Sequence, residues 1–244
     1  MKIAAGNRTG NVQDSVYASL RKSIINLNLA PGTVISEKEI SLKYEVSRTP
    51  VREAFIHLSK EGLVKVIPQR ETLVSLIDLN RVEQELFLRK SLEMAVLKPF
   101  ISRCQPEHIA KLEKIVETQT AAFDRNEYIN FITFDDQYHQ IFFEVAGYKL
   151  GWEVLESMCG HYHRVRLLTV WLNGIVQNII SQHVELLSAV KKKDLKESRL
   201  KLGRHLNKLY TEEKMLREKF PGYFASPQEN DAFEVDFGGF PLFS

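Results

Sequence analysis

Cysteine is scarce in this chain: Cys104 and Cys159 are the only two among 244 residues. Two thiols cannot build a disulfide framework, so a reducing cytoplasm is the expected location and both thiols are expected to be inert. Long apolar runs are missing as well. None approaches the ~18 residues that a membrane span requires, and no signal-peptide pattern opens the sequence, so no membrane partner is expected. A dominant charge is absent too, since 33 Lys and Arg stand against 31 Asp and Glu, a net +2. That balance gives no strong footprint for nucleic acid by itself. Nor does the chain show a nucleophile or general-base motif that would mark an enzyme.

What is present is an ordinary soluble composition, 44% hydrophobic and 26% charged, long enough for one large domain or two ordinary ones. The charge is slightly polarised. Residues 1–77 hold 11 Lys and Arg against 7 Asp and Glu, a net +4, and the remainder is correspondingly acidic. Within that basic third, Val16, Leu20, Ile24 and Leu27 recur at helical spacing, and Ala30-Pro31-Gly32 ends the helix. Ser36 followed by Glu39 predicts a capping box, with Ile35 and Ile40 as a hydrophobic staple. A third helix is predicted with Thr49 as its cap, Pro50 as its first residue and Val51, Ala54, Phe55 and Leu58 on one face, closed by Gly62. Leu63–Ile67 and Thr72–Leu76, rich in β-formers and separated by residues 68–71, predict a hairpin. Three helices and a hairpin in that order make a winged helix-turn-helix over residues 10–77.

From Asp78 the periodicity becomes helical throughout. Helices are predicted over Leu79–Arg103, Pro106–Asp124, Asn126–Ala146, Leu150–Leu172, Gly174–Lys192 and Asp194–Glu218, joined by loops short enough for an antiparallel all-α bundle over residues 78–220. The fold class expected is therefore mainly α. The segment from Phe220 to Ser244 carries six Phe, three Pro and three Gly without helical period. Residues 221–244 are expected to form a docked extended arm or a disordered tail.

Two groups of residues carry chemistry. Arg48 and Arg52 lie four apart, opposite the apolar stripe of the third helix. An arginine there can grip guanine O6 and N7 or a phosphate, and the Ser47 and Thr49 hydroxyls suit phosphate oxygens. In the second half, Asp135 and His139 share a face with Ile132, Phe142 and Ala146. His183 lies in line with Ile179 and Leu187, and His205 with Leu195 and Leu202. Buried imidazoles and carboxylates need partners, and one divalent cation would satisfy all four. Three His nitrogens and a carboxylate suit Zn²⁺, Ni²⁺ or Mn²⁺, with Zn²⁺ favoured. The competing reading for each is a satisfied core histidine; open coordination at such a metal would also fit hydrolytic chemistry, and a purely structural ion is a third reading.

The stretch Val46-Ser47-Arg48-Thr49-Pro50-Val51-Arg52-Glu53-Ala54, with Pro31-Gly32 and Ser36-Glu37-Lys38-Glu39-Ile40 upstream and Glu61-Gly62-Leu63-Val64 downstream, resembles the signature of GntR-family regulators. The resemblance implies DNA binding and adds Lys38 and, at the wing tip, Arg70 to the expected contacts. The chain departs from the family at Glu45 and Glu71, where glycine is usual. Asp135-x-x-x-His139, Gln182-His183 and His205-Leu206 resemble the metal ligands of the FCD effector domain of the FadR-type branch, and the six helices its shorter VanR-type version. That resemblance implies a small organic acid as effector, clamped by Arg89 within Leu86–Glu93, with Arg164 a second candidate. A homodimer reading a palindromic operator is expected.

Overall fold

The structure, a computed structural model, describes residues 9–67, 71–172, 176–207 and 213–226. Its N-terminal part is a winged helix-turn-helix. The element order is α1 (Thr9–Ile25), β1 (Val34–Ile35), α2 (Glu37–Tyr44), α3 (Arg48–Lys60), β2 (Val64–Ile67) and β3 (Glu71–Val74). The hairpin strands pair antiparallel, with Val64 opposite Val74, and β1 adds on the other side of β3, giving the order β1-β3-β2. Two residues are too few for β1 to show a period, so the sequence pattern missed it. The head's core is the expected stripe: Val16, Leu20, Ile24, Val51, Ala54, Phe55 and Leu58 are all buried. The cap of α3 differs from expectation. Ser47 takes the N-cap position and the helix begins at Arg48, two residues before Pro50.

At the turn between α2 and α3, Glu45 sits at φ 56°, ψ 43°, in the left-handed region. A side chain there crowds the following carbonyl at a cost of roughly 1–2 kcal/mol, which is the physical reason a glycine suits the position. Glu45→Gly should therefore raise the unfolding free energy by about 1 kcal/mol, read from urea denaturation. No gain would mean that this turn relaxes freely.

The C-terminal part is all helical: α4 (Leu79–Arg103), α5 (Pro106–Asp124), α6 (Tyr128–Ala146), α7 (Lys149–Met158), α8 (Gly160–Trp171), α9 (Val176–Lys191), α10 (Leu195–Leu206) and α11 (Glu213–Lys219). Asp78 caps α4, accepting from the amides of Asn80 and Arg81. Helix α6 packs between α4 and α5, and α9 lies against α5 and α10, with α10 returning to α4. Phe100, Phe131, Tyr138, Phe142 and Phe143 fill the interior. Leu150–Leu172, expected as one helix, breaks at Cys159 into α7 and α8. Of the helix expected over Asp194–Glu218, α10 ends at Leu206 and α11 begins at Glu213, with residues 208–212 outside the described ones. Of the tail, Phe224 is buried and bridges Ile77 in parallel, with Ile77 N donating to Tyr223 O.

The break at Cys159 seats α8 against the head. Gly160 lies so close to Leu63 that a Cβ there would come within 2.8 Å of its Cδ2. His161 then bridges the parts: Nε2 donates to Gly62 O at 3.0 Å, and Nδ1 accepts from Asp78 N at 3.1 Å. Burial, followed by the Arg164 charge, pushes this imidazole down to about 3, against the Gly62 carbonyl; Arg81 adds to the fall. The folded protein thus binds fewer protons than the unfolded chain between pH 6.5 and 3. The stability from neutral His161 is present above pH 6.5 and is lost as pH falls below it. His161→Gln should start less stable but lose less on acidification from pH 6.5 to 5, by up to about 1.4 kcal/mol per pH unit. Equal slopes at fixed zinc would contradict this.

Candidate metal centre and nucleic-acid interface

Helices α6, α9 and α10 bring Asp135, His139, His183 and His205 together. One ligand atom from each lies within 4.8 Å of all the others. His139 Nε2 is 3.1 Å from His205 Nε2 and 3.8 Å from Asp135 Oδ2, and His183 Nε2 is 3.4 Å from Asp135 Oδ1. The i,i+4 spacing of Asp135 and His139 puts both on the buried face of α6, and His183 stacks on Tyr138 with centroids 4.2 Å apart.

The tautomers follow from the outer nitrogens. His139 Nδ1 is 2.6 Å from Glu93 Oε2, His183 Nδ1 is 2.9 Å from Gln119 Oε1, and His205 Nδ1 is 3.2 Å from Gln182 Oε1. Each Nδ1 faces an acceptor and so carries the proton. Gln119's orientation is fixed because its Nε2 donates to Asp135 Oδ1 and Phe131 O. All three Nε2 atoms therefore turn lone pairs inward, and His183 Nε2 is buried with no hydrogen-bond partner. Two lone pairs 3.1 Å apart, beside a third and a carboxylate, repel one another without a cation. Ligand atoms around Zn²⁺ stand roughly 3 Å or slightly more apart, each about 2.0–2.2 Å from the ion. The donor set fits a divalent metal, and the three outer partners are the hydrogen bonds that orient metal-bound imidazoles.

Protonation states agree. Burial pushes His183 down to about 3 even with Asp135 beside it, and burial with the neighbouring imidazoles carries His205 well below its ordinary value. Burial alone would raise Asp135, but the Arg166 guanidinium beside it holds it well below the usual carboxylate range. Glu93, raised by burial, is brought to about 2 by His139 and Arg89.

Arg89 is buried beside this cluster. Its Nε donates to Glu93, four residues on, at 2.6 Å, and its Nη2 stands 3.8 Å from Asp135 Oδ2 without a hydrogen-bond partner. Arg164 departs from its expected place. Its Nη1 donates to Ser75 O at 2.6 Å, at the junction with the head. Arg166 stands where a second clamp was sought, with Nη2 2.5 Å from Asp135 Oδ2 and Nη1 2.6 Å from Asp136 Oδ1. Tyr162 lies under both Arg89 and Arg166. Its position four before Arg166 was the available signal. Asp136 faces Arg166 and His163 and stays outside the four-residue group.

On the head, Lys38, Ser47, Arg48, Thr49 and Arg52 are all exposed. Arg48 opens α3, Arg52 follows one turn later, and Ser47 makes no capping bond with its side chain. Among the described residues none of Lys38, Arg48 and Arg52 has a carboxylate partner. Arg70 lies outside the described residues.

Comparison with known proteins agrees with this division. Residues 12–74 match the bacterial regulatory proteins of the gntR family, and residues 85–208 match the FCD domain. The chain is 31% identical over 219 residues to the HTH-type transcriptional repressor RspR of Escherichia coli K12, covering 90% of this chain and 96% of that protein. It is 32% identical over 225 residues to an uncharacterised HTH-type transcriptional regulator of Streptomyces ambofaciens, covering 92% and 94%. Among solved structures, E. coli McbR/YncC superposes with a TM-score of 0.70 at 19% identity, covering 86% of this chain and 98% of that one.

Proposed function

The chain belongs to the gntR family of bacterial regulatory proteins and carries an FCD domain, and we propose that it is a cytoplasmic, ligand-responsive regulator whose metal-centred pocket tunes its grip on DNA. That it is a DNA-binding transcriptional regulator and not an enzyme follows from its relatives. The finer reading gives α3 the role of recognition helix, with Arg48 and Arg52 toward the major groove and Lys38, Ser47 and Thr49 toward phosphates. Arg70 of the wing joins them. Two heads in a homodimer would read the halves of a palindromic operator, supplying the affinity that one short helix lacks.

The observation that carries the effector half is the convergence of three inward Nε2 lone pairs and the Asp135 carboxylate, each imidazole fixed from behind. Asp135, His139, His183 and His205 would hold the metal, with Zn²⁺ favoured, and when bound it supplies a Lewis-acidic point for an anionic ligand oxygen. Arg89, buried beside the cluster with Nη2 3.8 Å from Asp135 Oδ2 and no hydrogen-bond partner there, supports a carboxylate as that ligand. Arg166 balances Asp135 and Asp136 next to it. Arg164 is read as a contact between the two domains, not as an effector clamp.

The test uses fluorescence anisotropy on promoter DNA from beside the protein's own gene, with zinc-loaded protein and a panel of small organic acids. At least one acid should shift operator affinity by fivefold or more, consistent with the ~1–3 kcal/mol typical of coupling between sites. The shift should vanish after chelation. Acids that bind without altering DNA affinity would overturn the regulatory link.

A further inference from the structure

The short stretch from Ser75 to Asp78 joins β3 of the head to α4 of the helical body, and its backbone is held from three directions. Ser75 N donates to Leu63 O at 3.0 Å within the head, while Ser75 O accepts from Arg164 of α8 at 2.6 Å. Asp78 N donates to His161 Nδ1, also on α8, at 3.1 Å. Between them, Ile77 pairs with the segment that follows α11. Its N–H donates to Tyr223 O at 2.7 Å and its carbonyl accepts from Ala225 N at 2.9 Å. Those are the two residues flanking Phe224, its opposite number, as in a parallel strand pair. Helix α11 holds the added segment in turn. Arg217 Nη1 donates to Ala225 O at 3.1 Å, and the guanidinium lies over the Phe224 ring, 5.6 Å from its centroid. Ile77 and Phe224 are both buried, in a cluster that takes in Leu27 of the head, Val82 of α4, Val165 of α8 and Leu216 of α11. One apolar knot thus joins head, linker, body and C-terminal segment.

We propose that residues 220–225 form a positioning strap: by pairing with Ile77 they fix the DNA-binding head on the helical body, and so make the spacing of the operator's half-sites a determinant of specificity. The spacing part rests on the homodimer reading above. Two domains joined by a short linker move relative to one another by default unless their interface is fixed. Heads fixed on one dimer stand a set distance apart and at a set angle. One extra base pair between half-sites moves them about 3.4 Å further apart and turns one by roughly 35° about the DNA axis. Fixed heads cannot follow both changes, whereas heads on a released joint can. Phe224 and Ala225 act on DNA only through the head, so they are positioning residues and not DNA contacts.

Ala225→Pro tests this in the full-length protein, because it deletes the N–H that donates to Ile77 O and leaves the buried side chains in place. Hydrogen exchange at the Ile77 amide should quicken about tenfold or more, with the helical content by circular dichroism unchanged. Fluorescence anisotropy then uses a palindromic site footprinted in promoter DNA from beside the protein's own gene, with and without one base pair inserted at its centre. The wild type should lose about tenfold in affinity on insertion, the scale of one mismatched base pair, and the variant about threefold or less. A chain stopped after Lys219 should behave as the variant does. One stopped after Ser226, which keeps the strap, should behave as the wild type. Equal losses in the wild type and both strap variants, with Ile77 exchange quickened, overturn the positioning role. Unaltered exchange at Ile77 overturns the strap itself. A footprint over a single half-site overturns the homodimer reading and the spacing role with it, while Ile77 exchange still judges the strap.

Discussion

Replacing His183 and His205 together with alanine should leave less than a tenth of the wild-type zinc, measured by elemental analysis after gel filtration. Both Nε2 atoms face the cluster, and neither has another role in the interior, since their Nδ1 atoms are already committed to Gln119 and Gln182. Two remaining ligands on one turn of α6 cannot hold a divalent ion against buffer. The same ion should contribute strongly to folding, because it binds the native arrangement and not the unfolded chain. At a free zinc level about a thousand times its dissociation constant, that amounts to about 4 kcal/mol. For a chain of this length the thermal midpoint of the wild type should then fall on the order of 10 °C on chelation, while the double variant should be indifferent to chelator. Wild-type zinc content in the variant would remove the centre from these residues.

Arg48→Ala and Arg52→Ala should each weaken operator binding by about 1–3 kcal/mol, from several-fold to roughly a hundredfold. The fold should be unaffected, since both side chains are exposed and stand apart from the Val51, Ala54, Phe55 and Leu58 stripe. Comparing the two on mutated operators separates their roles. A base contact relaxes specificity at one position, whereas a phosphate contact lowers affinity evenly and reduces the salt dependence by about one unit of slope. Unchanged affinity for the native operator in both variants would take α3 out of the groove.

Much of this is legible in the amino-acid sequence. The head could be read because local chemical markers line it: the Ser36 cap of α2, Pro50 in the first turn of α3 and a hairpin after it. The four metal-binding candidates could be read because Asp135 and His139 are one turn apart and His183 and His205 each interrupt an apolar stripe. What escaped was set by tertiary contact. Gln119, Gln182 and Glu93 hold the imidazoles from behind, yet a glutamine or glutamate in a helix carries no mark of what it faces. Arg164 and Arg166 are two residues apart, so they project in different directions. Only the placement of α8 against Ser75 decides that Arg164 turns to the head and Arg166 to Asp135. The break at Cys159 is similar, since Leu150–Leu172 reads as one continuous periodic run and the break falls beside Gly160, which lies against Leu63.

The proposed regulation depends on a cation gripped by the imidazoles of His139, His183 and His205 and the carboxylate of Asp135. Anomalous scattering at the zinc edge from crystals of the zinc-loaded protein tests it most directly. A single strong peak is expected about 2.0–2.2 Å from Nε2 of His139, His183 and His205 and from an oxygen of Asp135. A peak elsewhere, or none there with the three rings hydrogen-bonded through protonated Nε2 atoms, would contradict it.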